Sequence, residues 1–228
     1  GWDVAVVAES RQRLLELGGL DEAALPLPAE RRSVFMDVYA AFARQHMRLY
    51  GSTDFEFAAV SAKNHGHSVS NPRSQFRRAF TVDEVLASRG IVWPLTLPMC
   101  APISDGAAAT VVCTERGLRR LAAESTAVRV RACVLGSSVN REPDDLQRHL
   151  GRITALKAYE AAAAGPEDVC VAEVHDATAV GEVIQVENLG LVPFGEGGAA
   201  ALRGETALGG RIPVNPSGGL ESKGHPIG

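Results

Sequence analysis

The segment Asn215–Gly228, NPSGGLESKGHPIG, constrains this chain more than any other stretch. Glycines at 218, 219, 224 and 228 surround one histidine, and Pro226 follows it directly. Glycine lets the backbone turn through positive φ or pass close to a neighbour. Proline biases the residue before it away from helical dihedrals. His225 is therefore held on a tight, non-helical turn, where a ring that titrates near neutrality can serve as a catalytic base.

The rest of the chain alternates apolar runs with helical patterns. Asp3–Val7, Ala107–Cys113, Val128–Leu135, Val169–Val174 and Arg211–Asn215 read as mostly buried strands. Helical spacing covers Val34–Tyr50. Ser52-Thr53 followed by Glu56 announces a capped helix over Asp54–Asn64, and Thr81 with Glu84 opens a short one. Further helices are expected over 11–30 in part, 115–123, 153–164 and 179–189. Asn64–Gln75 reads as a polar, turn-rich segment, and Gly195–Gly198 as a flexible connection. The alternation predicts an α/β fold, with residues 9–80 a helical and loop-rich insertion. A strand opening at Asp3 and a glycine turn closing the chain predict an internal fragment of a longer protein.

Composition removes several function classes. The chain has 228 residues, 46% of them hydrophobic, and a net charge of −4. That balance opposes general nucleic-acid binding, which favours a basic surplus. No apolar run is long enough to span a membrane, and nothing reads as a signal peptide. Cys100, Cys113, Cys133 and Cys170 form no CxxC pair, which predicts reduced, mostly buried thiols and a cytoplasmic setting. Asn64-His65-Gly66-His67-Ser68 offers an HxH pair, but no further ligands stand at metal-site spacing, so no metal is expected. Arg73, Arg77 and Arg78 suit either an anionic ligand tail or a solvated basic face. No Walker or dinucleotide glycine fingerprint is present. His175-Asp176, at a strand-to-helix junction, falls where ligand sites of open α/β sheets collect. With His225 after a later strand, two imidazoles are expected in one pocket.

Together these segments resemble the thiolase superfamily, in its sterol-carrier-protein, lipid-transfer-protein-like branch. The resemblance rests on Asp3–Val7, Lys63–Ser68 with Asn71-Pro72 and Gln75-Phe76, Ser104–Ala109, His175-Asp176 and Asn215–Gly228, in that order. It implies duplicated βαβαβ layers. Residues 1–8 and 81–136 would belong to the N-terminal half, 9–80 to the insertion over the active site and 137–228 to a truncated C-terminal half. It also implies thiolytic cleavage of a 3-ketoacyl-CoA, or the reverse Claisen condensation, on fatty or sterol-derived acyl chains.

On the same resemblance His225 would activate a thiol nucleophile, and His175 would form part of an oxyanion site. Ser217, Gly218, Gly219 and Ser104 would contact CoA, which is a substrate here and not a resident cofactor. Ala101 departs from the CoA-contacting serine of many thiolases. None of the four cysteines matches the family's two catalytic ones, so residues 1–228 alone are expected to be inactive. A homodimer is implied. One alternative is a retro-aldol lyase of the same fold, acting on 3-hydroxyacyl-CoA side chains beside a small OB-fold partner. Another is a non-catalytic thiolase-like subunit.

Overall fold

The structure, a computed structural model, describes Gln12 and residues 33–121, 127–137, 139–142 and 144–226. The strand expected at Asp3–Val7 and nearly all of the helical stretch expected within 11–30 lie outside these residues. Helix α1 is Val34–Tyr50, capped by the Ser33 hydroxyl on the Phe35 N–H and closed by Gly51 at φ 75°. Helix α2 is Asp54–Ser68 and α3 is Val82–Leu86. Both carry the reciprocal caps expected from sequence, Thr53 with Glu56 and Thr81 with Glu84. A hairpin follows, β1 Gly90–Val92 antiparallel to β2 Leu95–Thr96. The later helices are α4 Glu115–Leu121, α5 Leu150–Ala162, α6 Ala179–Asn188, α7 Gly197–Leu202 and α8 Gly219–Lys223.

Four sequence expectations change. The thiols expected to be mostly buried are not, since Cys113, Cys133 and Cys170 are exposed. Helix α2 runs to Ser68, so His65 and His67 lie in its last turn and not in a polar loop. Their rings are buried and bonded to distant carbonyls, which rewards helix where local composition favoured a turn. Residues 197–202 are helical and not a flexible connection. Gly197 donates its N–H to Glu187 Oε1 at 2.9 Å, and a Cβ on Gly198 would meet Glu56 Cβ at 2.7 Å. Close packing therefore selects the glycines. Finally, Ala107–Cys113 and Val128–Leu135 form no ladder among the described residues. No covering layer meets their side chains there, and Val111 and Leu135 are 81% and 97% exposed.

Among the described residues parallel pairing takes the form of single bridges. Ala172 pairs in parallel with Val214, and Ile103 with His225. Helix α2 lies at the centre of the packing, against α3, α6, α7 and α8. Phe57 and Val60 of α2 share one apolar core with Val180 and Val183 of α6, Val85, Val92, Leu95 and Met99. No helix among the described residues is long and apolar enough to cross a membrane.

Below that core, α2 turns a polar edge toward α6 and α8. Lys63 Nζ donates to Glu182 Oε1 at 2.6 Å and to the Val214 carbonyl at 2.9 Å. Asn64 Nδ2 reaches Glu182 Oε2 at 2.8 Å, and Asp176 and Glu221 at 3.3 Å each. Asn215 Nδ2 donates to the same Glu182 Oε2 at 2.8 Å. Asp176, Glu182 and Glu221 are all essentially inaccessible to solvent. Ionising three buried carboxyls beside one ammonium is unfavourable. Burial, then the neighbouring Glu182 charge, pushes Asp176 up to about 8, and burial with Asp176 raises Glu221 well above the usual carboxylate range.

The folded state therefore holds protons that the unfolded chain releases above roughly pH 4. Stability from these two groups is greatest in acid and declines as pH rises from about 4 through about 8. In the opposite sense, burial holds His65, His67, His149 and His175 below the ordinary imidazole value, so protonation below about pH 6.5 destabilises. Glu221→Gln removes one of the raised carboxyls without changing its shape. Its melting temperature should fall less steeply than that of the unsubstituted protein between about pH 6.5 and 8, a difference that a thermal-unfolding series across pH would measure.

Candidate active site

Helix α2 cradles the glycine turn from beneath. His67 Nδ1 donates to the Asn215 carbonyl at 3.0 Å, and its Nε2 accepts the Leu208 N–H at 3.1 Å. His65 Nε2 donates to the Pro98 carbonyl, and its Nδ1 accepts from the Ser222 hydroxyl at 3.1 Å. Both nitrogens of both rings are thus occupied by protein partners. Among the described residues no three His, Cys, Asp or Glu side chains converge as a metal site. The Lys63–Ser68 motif works here as a clamp on residues 214–222.

The turn itself is built by volume. Asn215 sits at φ 50°, and its Oδ1 accepts the Val174 N–H at 2.8 Å, tying the turn to the segment that ends at His175. Gly218, at φ 98°, lies against Ser68, whose Cβ a methyl there would approach to 2.6 Å. Gly219, at φ 62°, lies against Asp176, whose Oδ2 occupies the space a Cβ would take. The space beside both glycines is therefore filled by protein. The Ser217 hydroxyl and N–H are both held by the Glu173 carboxylate, at 2.8 and 2.9 Å. Ser104 stands over Gly224, and Gly106 over Pro226, so the Ser104–Gly106 turn packs on the histidine turn.

His175 and His225 meet as expected. Their Nε2 atoms are 3.1 Å apart, with the rings edge to face at 5.0 Å between centroids. One ring must then present a lone pair to the N–H of the other, since two N–H groups at this distance would repel. Burial, then the nearby His225, holds His175 below the ordinary imidazole value. The pair is poised to exchange a proton. His225 takes its place through its own backbone, whose N–H donates to the Pro102 carbonyl at 2.8 Å. Its Nδ1 is buried and has no hydrogen-bond partner among the described residues.

His175 also lines a groove of about 150 Å³ between α1 and α6. Tyr39, Phe42, Leu49 and Ile184 give it an apolar wall. Of the basic residues singled out from sequence, Arg78 is engaged elsewhere, bonded to Glu84 at 2.8 Å and stacked on Phe80. Cys100 is bridged to Thr178, and burial pushes its thiol up to about 12, unlike a reactive thiolate.

Sequence reasoning found both histidines and missed what carries them. Lys63 and Asn64 lay inside a recognised motif without an assigned partner. Glu182 was legible as a charge interrupting the apolar face of α6, and Glu221 as a charge beside the glycines.

Residues 133–228 match the family model for the thiolase C-terminal domain-like family. Acetyl-CoA acetyltransferase of Methanothermobacter thermautotrophicus is 39% identical over 201 residues, covering 88% of this chain and 52% of that protein. Sterol carrier protein 2 of Rattus norvegicus is 40% identical over 197 residues, 84% of this chain and 36% of that protein. Benzoylsuccinyl-CoA thiolase subunit BbsB of Thauera aromatica is 38% identical over 86% of this chain and 51% of its own. The chain thus spans roughly a third to a half of the length of these curated relatives. A solved structure titled Ltp2-ChsH2(DUF35) aldolase superposes with a TM-score of 0.73 at 24% identity, over 99% of this chain and 57% of its own, and so shares the fold. Residues 133–228 thus carry the thiolase C-terminal domain-like match, and over most of its length the chain is similar to thiolases and to sterol carrier protein 2.

Proposed function

We propose that this chain supplies the histidine part of an acyl-CoA active site of thiolase type, cleaving a 3-ketoacyl-CoA by thiolysis or running the reverse condensation. The observation that carries the reading is the 3.1 Å contact between His175 and His225 at the edge of an apolar groove. In such a reaction a thiol loses its proton to His225, and the thiolate adds to the 3-keto carbon. Cleavage of the C2–C3 bond then leaves the enolate of the shorter acyl-CoA, which a proton from the imidazole pair quenches. CoA thiol releases the remaining acyl group as a new thioester. Donors positioned at the developing oxyanion stabilise it by about 3–4 kcal/mol. CoA enters as substrate. Of the proposed CoA contacts, Ser104 has the clearest support, since its turn packs directly on residues 224–226. A homodimer is part of the same proposal.

A retro-aldol lyase is the second reading. It is favoured by the aldolase title of the structural neighbour, and acid/base chemistry on the His175–His225 pair needs no cysteine. A small OB-fold partner belongs to that reading, in keeping with the two-component name of the structural neighbour.

In the full-length protein, His225→Ala should lower kcat for thiolysis by about 10²–10⁴-fold while leaving the melting temperature near that of the unsubstituted enzyme. Near-normal turnover would remove His225 from the mechanism. Because His175 is held low, the acid limb of the kcat/KM profile should lie below about pH 6.5, the ordinary imidazole value. Release of a ketone or aldehyde from a 3-hydroxyacyl-CoA, without CoA-dependent thiolysis, would decide for the lyase.

A further inference from the structure

We infer that Asp176 is the positioning residue that sets the His175–His225 distance, an inference that rests on reading this pair as the acid/base centre. The two rings ride on a closed circuit of hydrogen bonds. Ala101 N–H donates to the Ala177 carbonyl at 3.0 Å, and His225 N–H to the Pro102 carbonyl at 2.8 Å. These two links are backbone to backbone and do not depend on side-chain identity. The circuit closes through a side chain: Asp176 Oδ1 accepts the Leu220 N–H at 2.7 Å, and Oδ2 lies 3.5 Å from the Glu221 N–H. Leu220 and Glu221 open α8, which runs through Gly224 directly into His225.

Asp176 is fully buried and immediately follows His175, so its carboxyl couples the end of one segment to the start of the other. Gly219 fits the same role, since its missing side chain is what lets the carboxyl sit against the helix start. Asn64 Nδ2, 3.3 Å from Oδ2, fixes the carboxyl from α2. The carboxyl faces α8 and α2, which separates its role from that of a group touching substrate. An amide of the same shape retains at Oδ1 the acceptor that Leu220 needs, while its Nδ2 replaces the more weakly held Oδ2.

The test compares Asp176→Ala with Asp176→Asn in the full-length protein. Asp176→Ala should lower thiolysis kcat by about 10²-fold, the cost of misplacing a catalytic group by about 1 Å, with KM changed by less than about threefold. Asp176→Asn should stay within about fivefold of the unsubstituted kcat, a rescue set by the retained acceptor. The second readout is the imidazole proton titration of His175 by NMR, which needs no turnover and so stands apart from the reaction assigned above. Its midpoint should rise in Asp176→Ala as His225 moves away, and stay low in Asp176→Asn. Arg141 and His149, which share the groove with His175, are kept in both variants.

If Asp176→Ala does not fold, Gly219→Ala displaces the carboxyl from the other side and should produce the same upward movement. A folded Asp176→Ala or Gly219→Ala protein with an unchanged His175 midpoint overturns the inference. So does an Asp176→Asn protein as impaired as Asp176→Ala.

Discussion

The ion pair between Lys63 and Glu182 is the contact on which the rest of the site depends. The Lys63 ammonium, held by Glu182, joins α2 to α6 and, through the Val214 carbonyl, to the chain end that enters the glycine turn. Asn64 and Asn215 complete the arrangement by sharing Glu182 Oε2. Breaking one partner of such a buried pair typically costs about 3–5 kcal/mol, because it strands a charge away from water. The polar cluster is a keystone for placement. The apolar core above it, around Phe57, Val60 and Val183, supplies the driving force for burial but has no means of choosing where an imidazole will point.

Placement is what the histidine pair needs. A ring on a glycine turn would wander if only its own backbone held it. Here the turn is gripped by His65, His67 and Ser68 from below, by Glu173 at Ser217 and by the Ser104–Gly106 turn from the side. The result is one imidazole edge-on to another beside an apolar groove. Under the function proposed above, an acyl tail would rest on the aliphatic and aromatic wall of that groove while the reacting carbon meets the imidazole pair.

What could be read from the sequence was whatever local chemistry decides. Thr53 with Glu56 and Thr81 with Glu84 announced their helices because a capping box closes within four residues. His225 was legible because glycine and proline fix its surroundings over a short span, and His175 because it falls at a strand-to-helix junction. The helical run through His65 and His67 was not, since its stabilising acceptors, Pro98 and Asn215, lie 33 and 148 residues away. The same holds for Gly197 and Gly198, whose need for no side chain is set by Val183 and Glu56. At Ala107–Cys113 and Val128–Leu135 composition announced strands, but a ladder requires a neighbour, and none of the described residues provides one. The roles of Asp176 and Glu221 were hidden for a related reason, because a buried carboxyl acquires its meaning only from what surrounds it.

The close seat of Gly218 on Ser68 has a consequence for how variants of this chain would be interpreted. A bulkier residue there would lever the turn, and the imidazole on it, without touching any reacting atom. In a survey ranked by lost turnover, such a position would be indistinguishable from a chemical participant. Turnover alone therefore cannot separate the parts of this site that react from the parts that only leave room.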